Sequence, residues 1–319
     1  MKPHVLVITP IEHIAGVSEL IESFAKVTYL AEPTEGEVFE RIGEVNAIYT
    51  NPNMSNVYIS RDLIDKAEAL EVICTASTGT NHIDMQYVDA IGLDVISLTE
   101  EREVISNISS TAEHAFALML SGLRRIPQAW DSVRQGEWDY QPFIGRQLDH
   151  LVVGIVGYGR LGSMFGSYCR GFDVKTIAHD PFKQITDSWV EQVSNVSDLL
   201  SRSDIISLHV HLNADTKGMV DEEWFDTMRD DVTLINTSRG EVVDEASLIR
   251  FLKQNPDAYY ATDVLSNEIV GSKSNRLRSW GSESAQVLIT PHIGGMTHEG
   301  QMIAYQHAAK MLREYYQSK

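Results

Sequence analysis

Residues 151–162 read LVVGIVGYGRLG, an apolar run that meets a group of glycines and continues into a stretch compatible with a helix. The apolar run predicts a buried strand, and Gly157, Gly159 and Gly162 follow the spacing G-x-G-x-x-G. The first glycine permits a tight turn, the second lets the backbone approach a ligand, and the third allows the helix to pack on the strand. This segment predicts the strand–loop–helix unit of a doubly wound α/β sheet, with an anion site at the start of the helix.

The same alternation of short apolar runs and amphipathic stretches continues on both sides of this segment. The other predicted strands are 4–10, 26–30, 46–50, 71–77, 93–99, 175–180, 204–212, 232–238, 259–264 and 287–292. Strands that alternate with helices form parallel sheets covered on both faces. We therefore predict an α/β protein of two doubly wound domains, residues 1–104 plus 293–319 for substrate binding and residues 105–292 for nucleotide binding. A last helix near 298–316 returns to the first domain.

Composition excludes several classes of function. The formal net charge is −19, from 45 acidic and 26 basic residues, so the chain repels polyanions, and we expect neither a nucleic-acid partner nor a membrane partner. Cys74 and Cys169 have no CxxC or zinc spacing and are expected to be buried, reduced thiols. Because no secretory signal and no run of eighteen apolar residues is present, we expect a cytoplasmic protein.

Asp180 selects the nucleotide that the glycine loop would bind. It ends the predicted strand 175–180, eighteen residues after Gly162, where a carboxylate accepts hydrogen bonds from ribose hydroxyls. The same carboxylate would repel the 2′-phosphate of NADP, and Lys183 is the only cation close to it in sequence. The sequence therefore favours NAD as the cofactor.

Several further motifs, in order along the chain, resemble one family. They are STGTNHID (77–84), TAEHAFALML (111–120), NTSRGEVVDE (236–245), TDVLSNE (262–268) and TPHIGG (290–295). Together with the glycine loop they resemble the D-isomer-specific 2-hydroxyacid dehydrogenases, which include phosphoglycerate, glycerate, D-lactate and formate dehydrogenases. The resemblance covers nearly the whole chain. It implies a Rossmann NAD domain inserted into a flavodoxin-like substrate domain, an active site in the cleft, and hydride transfer between NAD(H) and a small 2-hydroxy or 2-oxo acid, with D specificity.

The resemblance implies that Arg239, Glu268 and His292 are catalytic, and their positions support these roles. Arg239 and His292 each follow a predicted strand, at the sheet edge where ligands bind in doubly wound folds. A guanidinium there can hold the substrate carboxylate and polarise the 2-oxo group. An imidazole can deliver a proton to the carbonyl oxygen, and Glu268 would orient it. Taken singly, each residue also fits a structural or solvated role.

The resemblance also implies ligand contacts for other positions. The backbone N–H groups of Ser77, Thr78 and Gly79 would take the substrate carboxylate, and Thr78 would also touch the cofactor. Asp263 would bind the nicotinamide carboxamide, while Gly294 and Gly295 would let the backbone approach the ring. The remaining cofactor positions are Gly157, Gly159, Arg160, Leu161, Gly162, Val210 and Thr237.

The chain departs from the family pattern at two places. His211 stands where the family usually has proline, and the pair His209-x-His211 raises the question of a metal. Because neighbouring strand side chains point to opposite faces and no third ligand is evident, we expect packing and no metal site. The stretch between Glu268 and His292 is longer than usual and lacks the prolines common in the family.

The residues that would contact the substrate disfavour a phosphorylated acid. Thr75 stands at a position where phosphoglycerate dehydrogenases carry an arginine, and a phosphate usually requires charged donors. Asn51, Asn53 and Asn81 instead suggest recognition of a neutral, hydroxylated substituent. The sequence does not name the acid.

Residues 109–150 predict an interface between subunits. The apolar helix 109–125 and the aromatic residues Trp130, Trp138, Tyr140 and Phe143 would expose more apolar surface than a monomer tolerates, which favours a homodimer through this region. Glu113 and His114 would serve that interface or the cleft.

A non-enzymatic NAD(H)-sensing interaction protein on the same fold is the main alternative to a dehydrogenase. An NAD enzyme of another class, such as one oxidising formate, is disfavoured by Glu268 and His292.

Overall fold

The computed structural model describes residues 2–53, 55, 57–268 and 274–319. The chain divides into two compact units, unit 1 from Met1–Ile108 with Gly295–Lys319, and unit 2 from Ser109–Gly294. The sequence predicts these boundaries at 104/105 and 292/293. In the structure the chain passes from unit 1 to unit 2 four residues later than predicted, and it returns to unit 1 two residues later than predicted.

Parallel strands form one sheet in each unit. In unit 1 the sheet order is β2-β1-β3-β4-β5, with β1 at His4–Val7, β2 at Lys26–Tyr29, β3 at Ala47–Thr50, β4 at Val72–Thr75 and β5 at Asp94–Ile96. In unit 2 the order is β12-β11-β10-β9-β6-β7-β8, with β6 at Val152–Val156, β7 at Lys175–His179, β8 at Val190–Gln192, β9 at Ile205–Leu208, β10 at Thr233–Asn236, β11 at Tyr259–Thr262 and β12 at Val287–Ile289. The first order is flavodoxin-like and the second is that of a Rossmann fold.

Helices connect the strands and cover the sheets. Those before the glycine loop are α1 (Val17–Phe24), α2 (Glu35–Arg41), α3 (Arg61–Lys66), α4 (Met85–Ile91), α5 (Arg102–Ile105), α6 (Ser110–Leu123) and α7 (Ile126–Arg134). Those after it are α8 (Arg160–Gly171), α9 (Val196–Arg202), α10 (Glu222–Thr227), α11 (Glu245–Gln254), α12 (Arg276–Gly281) and α13 (His298–Gln317). Over the part of the chain that the structure describes, none of the helices combines the length and the apolar character that crossing a membrane requires.

Both sheets carry apolar side chains on both faces, as parallel sheets do when helices cover them. In unit 1, Tyr305, Ala308 and Leu312 of α13 lie in the core with strand residues, so the last helix packs on the first unit as predicted. In unit 2, α6 contributes Ala115 and Met119 to the core on one face of the sheet. The predicted fold class of two doubly wound parallel-sheet domains is confirmed.

The strands differ from the predicted ones at their ends. The predicted strands 4–10, 204–212 and 287–292 stop in the structure at Val7, Leu208 and Ile289. The residues beyond these points leave the sheet at its carboxyl edge, and in unit 2 they form the loops that carry His209 and His292. Strand β8 was not predicted, because it has three residues and only Val190 is buried.

Candidate active site

Arg239 lies just beyond the end of β10 in a turn built by its neighbours. The amide of Asn236 donates to the Arg239 carbonyl at 2.9 Å and its Oδ1 accepts the N–H of Ser238 at 2.9 Å. Arg239 Nη1 donates to the Ser238 carbonyl at 2.6 Å. Burial lowers the pKa of the guanidinium, while Glu268 and then Glu241 act in the opposite direction. Arginine has so high an intrinsic pKa that it stays charged.

His292 and Glu268 form a direct pair in unit 2. Nδ1 of His292 lies 2.6 Å from Oε1 of Glu268, and about a fifth of each side chain is exposed to solvent. Because a carboxylate only accepts, Nδ1 is the donor in this bond, and Nε2 is the ring nitrogen that the bond does not use. Glu268 also acts electrostatically on Arg239, so the three predicted catalytic residues lie together.

Two glutamates of the 236–245 motif hold the loop that ends at Glu268. Glu241 accepts the N–H of Asn267 at 3.0 Å, and Glu245 accepts the N–H of Ser266 at 2.9 Å. Sequence reasoning did not assign these roles, although the repeated acids in the motif were the available signal. They fix the Glu268 loop beside the Arg239 turn.

Gly240 allows the same two loops to approach. A Cβ on Gly240 would lie 2.0 Å from the carbonyl carbon of Leu265 and 2.2 Å from the nitrogen of Ser266. Both are backbone atoms of the Glu268 loop and cannot move aside independently. Only glycine permits this backbone contact between the Arg239 turn and the Glu268 loop.

The carboxylate of Asp263, directly after β11, is surrounded by donors from the protein. Its Oδ1 accepts from Thr290 at 2.5 Å and from the N–H of Ile293 at 2.9 Å, and its Oδ2 accepts the N–H of Gly294 at 2.7 Å. Nε2 of His114 lies 3.3 Å from Oδ1. Burial tends to raise the pKa of Asp263, but these hydrogen bonds together lower it. Its predicted contact with the nicotinamide stays a prediction, and most of its acceptor capacity is already used.

The glycine loop has the backbone that the sequence predicts. Gly157 has φ +85°, and a Cβ there would lie 2.5 Å from the His209 carbonyl oxygen. A Cβ on Gly162 would lie 2.1 Å from the Gly157 carbonyl oxygen, so this glycine serves close packing of α8. At Gly159 nothing lies within 4 Å of an added Cβ, so the packing of the protein itself does not require glycine there. Open space beside a glycine at a helix N-terminus suits a pyrophosphate.

Asp180 follows β7 and lies next to this loop. Its Oδ2 accepts the N–H of Tyr158 at 2.9 Å and its Oδ1 accepts the N–H of Phe182 at 2.9 Å. Each oxygen keeps acceptor capacity for a ribose hydroxyl. Lys183 Nζ donates to the Tyr158 carbonyl at 2.9 Å, which places one cation near the loop.

Four further predicted cofactor residues belong to unit 2. A Cβ on Gly157 would lie 3.0 Å from Val210 Cγ1, which places Val210 beside the glycine loop. Thr237 follows β10, and its hydroxyl is buried with no hydrogen-bond partner among the residues described. An orphaned buried hydroxyl is costly, so it indicates a missing partner such as a ligand. Arg160 is the first residue of α8, and burial lowers the pKa of its guanidinium. Leu161 packs on the core.

The predicted carboxylate donors Ser77, Thr78 and Gly79 lie in unit 1, after β4. Thr75 Oγ1 lies 2.8 Å from Ser77 Oγ, which donates to the Gly79 carbonyl at 2.7 Å. These bonds fix the loop, and within the described ranges the N–H groups of residues 77–79 have no acceptor. Gly295, another predicted cofactor residue, also belongs to unit 1, where its carbonyl accepts the N–H of Thr297 at 3.1 Å.

Asn51 has a structural role that the sequence did not reveal. Its Nδ2 donates to the Ala76 carbonyl at 2.7 Å and its Oδ1 accepts the N–H of Asn53 at 2.9 Å. The buried side chain therefore joins the loops after β3 and β4. For Asn53 and Asn81, recognition of a neutral substituent stays a prediction.

His209 and His211 point to different surroundings. The His209 ring packs against Phe165 with centroids 5.1 Å apart, and its Nε2 lies 2.9 Å from Ser207 Oγ. His211 is exposed. Burial lowers the pKa of His209 to about 3, so it is neutral in the folded protein.

Comparison with known proteins gives consistent matches. Residues 116–294 match the sequence model of the "D-isomer specific 2-hydroxyacid dehydrogenase, NAD binding domain". The chain is 30% identical to the D-3-phosphoglycerate dehydrogenase of Methanocaldococcus jannaschii over 93% of its own length and 54% of the relative, and 33% identical to that of Archaeoglobus fulgidus over 78% and 46%. It thus spans about half the length of these curated relatives.

Among solved structures, the D-lactate dehydrogenase of Aquifex aeolicus, complexed with NAD and lactic acid, is similar to this chain. The TM-score is 0.83 and the sequence identity is 26%, over 99% of this chain and 96% of that chain. Similarity over both units supports the division of the fold described above.

Proposed function

Because the chain belongs to the D-isomer-specific 2-hydroxyacid dehydrogenase family, we propose that it transfers a hydride between NAD(H) and C2 of a small acid. The acid is a 2-oxo acid in the reducing direction and the corresponding 2-hydroxy acid of D configuration in the oxidising direction. The observation that carries this proposal is the 2.6 Å pair of His292 and Glu268 beside Arg239, in the unit that matches the family's NAD binding domain. An acid/base group next to a carboxylate-binding cation is what this reaction requires.

The residues at the edge of unit 2 fit NAD. The open space at Gly159, the acceptor capacity of Asp180 and the orphaned hydroxyl of Thr237 would hold the pyrophosphate, the ribose and the nicotinamide side respectively. When bound, the nicotinamide supplies or accepts the hydride. Arg160, Leu161, Gly162 and Val210 complete the proposed contacts in this unit, and Thr78 and Gly295 are proposed contacts from unit 1.

The chain's own residues supply the proton of the reaction and the positive charge that pairs with the substrate carboxylate. In the reducing direction, the C2 carbonyl oxygen takes a proton from Nε2 of His292 as C2 becomes the carbinol carbon. Nδ1 stays bonded to Glu268, which keeps the ring in one orientation. Arg239 pairs with the substrate carboxylate. In oxidation the same proton returns to His292.

The substrate is proposed to be unphosphorylated. The loops after β3 and β4, residues 51–60 and 76–84, contain no lysine or arginine. Thr75 is fully buried and its hydroxyl lies against Ser77, so it offers no charge to a phosphate. The N–H groups of residues 77–79 are proposed to bind the carboxylate.

Steady-state oxidation of NADH across a set of 2-oxo acids tests the proposal. The set is glyoxylate, hydroxypyruvate, pyruvate, larger 2-oxo acids and 3-phosphohydroxypyruvate, and chiral chromatography identifies the product. We expect turnover of an unphosphorylated acid to its D product. Fastest turnover of the phosphorylated acid would overturn the substrate class. No turnover of any acid, with NADH still bound, would indicate an NAD(H)-sensing protein instead.

The assembly and compartment are also proposals. Trp130, Trp138, Tyr140 and Ile144 of unit 2 expose between 62% and 90% of their surface, which is costly in water and supports a homodimer through residues 109–150. Cys74 and Cys169 are free and buried, which is compatible with the reducing cytoplasm.

A further inference from the structure

His114 is a polar residue on a helix that otherwise packs apolar side chains into the core. It lies on α6, which packs on β10 and β11, and only 17% of its side chain is exposed. Its Nε2 is 2.9 Å from Thr290 Oγ1 and 3.3 Å from Asp263 Oδ1. His114 therefore lies at the carboxyl edge of the sheet and contacts the ends of two neighbouring strands.

The donors and acceptors of this group follow from its chemistry. An ionised Asp263 only accepts, so the Thr290 hydroxyl donates to it at 2.5 Å. The Thr290 oxygen then accepts, and Nε2 of His114 must carry the proton that it donates. The result is a directed chain from His114 through Thr290 to Asp263, which strengthens each bond.

Asp263 connects this chain of hydrogen bonds to the backbone next to His292. It accepts the N–H groups of Ile293 and Gly294, the two residues that follow His292. His292 itself has φ +54°, in the left-handed region that residues other than glycine seldom adopt, and its N–H donates to the Thr290 carbonyl at 3.0 Å. Such a conformation persists only when its surroundings enforce it.

Gly294 shows how close this contact is. A Cβ on Gly294 would lie 2.9 Å from Asp263 Oδ2 and 3.7 Å from Cδ2 of His114. The carboxylate and the loop are thus packed against each other, and a shift of Asp263 would move the loop with it.

We propose that His114 is a positioning residue, which acts through Thr290 and Asp263 to hold the backbone of His292 in the conformation that places its ring against Glu268. This inference rests on the proposed function, since His292 is its acid/base group. His114 does not touch the substrate. Its loss would lower kcat by displacing His292 and would change the affinity for NADH by a smaller factor, since Asp263 and Gly294 are also predicted to lie at the nicotinamide.

The test compares His114→Leu, which removes the donor, with His114→Gln, whose Nε2 can replace it. The readouts are kcat and KM, the Kd of NADH from fluorescence titration, and hydrogen exchange of the Ile293 and Gly294 amides by NMR. We expect about a tenfold or larger loss of kcat and faster exchange of both amides in the Leu variant, because small displacements of a catalytic group are costly. Partial recovery of both is expected in the Gln variant, and in each variant the Kd of NADH should change by a smaller factor than kcat.

Wild-type kcat and unchanged amide exchange in His114→Leu would overturn the inference. So would equal losses in both variants, or a Kd of NADH raised by a factor as large as the loss of kcat, which would indicate a general packing or cofactor role. The exchange measurement does not need turnover, so it still decides the question if the protein reduces none of the acids. Should His114→Leu fail to fold, Thr290→Val and Thr290→Ser give the same comparison, because serine keeps the hydroxyl and valine does not.

Discussion

His292 and Glu268 are joined by a hydrogen bond of 2.6 Å between Nδ1 and Oε1, although 24 residues separate them in the chain. The bond makes Nδ1 the donor to Glu268, so the proposed proton exchange is assigned to Nε2. Glu268 is also close enough to Arg239 to act on its charge, so one carboxylate links the proposed acid/base group to the proposed carboxylate-binding cation. This arrangement depends on neighbouring loops and side chains whose replacement should have measurable effects.

Gly240→Ala should damage both stability and turnover. The added Cβ would meet backbone atoms of Leu265 and Ser266 at 2.0 and 2.2 Å, and backbone cannot yield as a flexible side chain does. We expect the free energy of unfolding to fall by about 1–3 kcal/mol and kcat to fall with it, because the Arg239 and Glu268 loops move apart. Urea unfolding and steady-state kinetics measure the two effects.

The matched control is Gly36→Ala in α2, where nothing lies within 4 Å of the new Cβ. It should leave kcat unchanged and raise the free energy of unfolding by up to about 1 kcal/mol. If Gly240→Ala behaved like this control, the close contact of the two loops would not matter.

Asp180→Asn should weaken the preference for NADH over NADPH. The amide can still accept the Tyr158 N–H, but it no longer repels the 2′-phosphate, and Lys183 is nearby to attract it. We expect the ratio of kcat/KM values to fall by about tenfold or more, equivalent to about 1.4 kcal/mol. Kinetics with both cofactors measure this ratio, and an unchanged ratio would argue against a role for Asp180 at the ribose.

Stability should fall in acid because of His209. Burial lowers the pKa of its imidazole to about 3 in the folded state, against 6.5 when it is free, so between these values the unfolded chain binds a proton that the folded chain does not. His209 therefore contributes a loss of stability that begins below pH 6.5 and grows as the pH falls toward 3.

His209→Gln removes this titration and can keep the bond to Ser207 through its amide nitrogen. Urea unfolding at about pH 8 and about pH 5 should show a drop for the wild type that exceeds the drop for the variant by about 2 kcal/mol. Equal drops would mean that His209 is not held neutral by the fold.

Replacement of exposed aromatic residues should break the proposed dimer. Trp138 and Tyr140 are 90% and 76% exposed, so the double variant Trp138→Ser/Tyr140→Ser should fold and sediment or scatter light as a monomer. Phe182→Ser is the control, because Phe182 is 95% exposed and lies outside residues 109–150. A wild type that is already monomeric at micromolar concentration would contradict the proposal.

Much of the fold could be predicted from the sequence, because buried parallel strands form apolar runs and the spacing of Gly157, Gly159 and Gly162 is typical of a strand–loop–helix unit. Strand ends were overestimated where polar residues such as Thr290 and His209 continue an apolar run, since pattern alone does not show where the chain leaves the sheet. Strand β8 lacks the apolar run that would have indicated it.

The sequence predicted the acid/base and carboxylate-binding residues of the candidate site, but not the residues that hold them in place. Arg239, Glu268 and His292 could be named because the motifs that contain them resemble a known family, and their chemistry supports the roles that the resemblance implies. The roles of Glu241, Glu245 and His114 depend on hydrogen bonds to groups that are distant in the chain, and the sequence does not show which groups these are. The structural role of Asn51 is hidden in the sequence for the same reason, since its bonds to Ala76 and Asn53 are visible only in the folded chain.

The central claim is that His292 exchanges the proton of the reaction, and turnover of His292→Asn tests it most directly. With the best 2-oxo acid and saturating NADH, we expect kcat to be about 10²–10⁴-fold below that of the wild type, while the Kd of NADH from fluorescence titration stays the same. Turnover equal to the wild type, with NADH bound normally, would contradict the account.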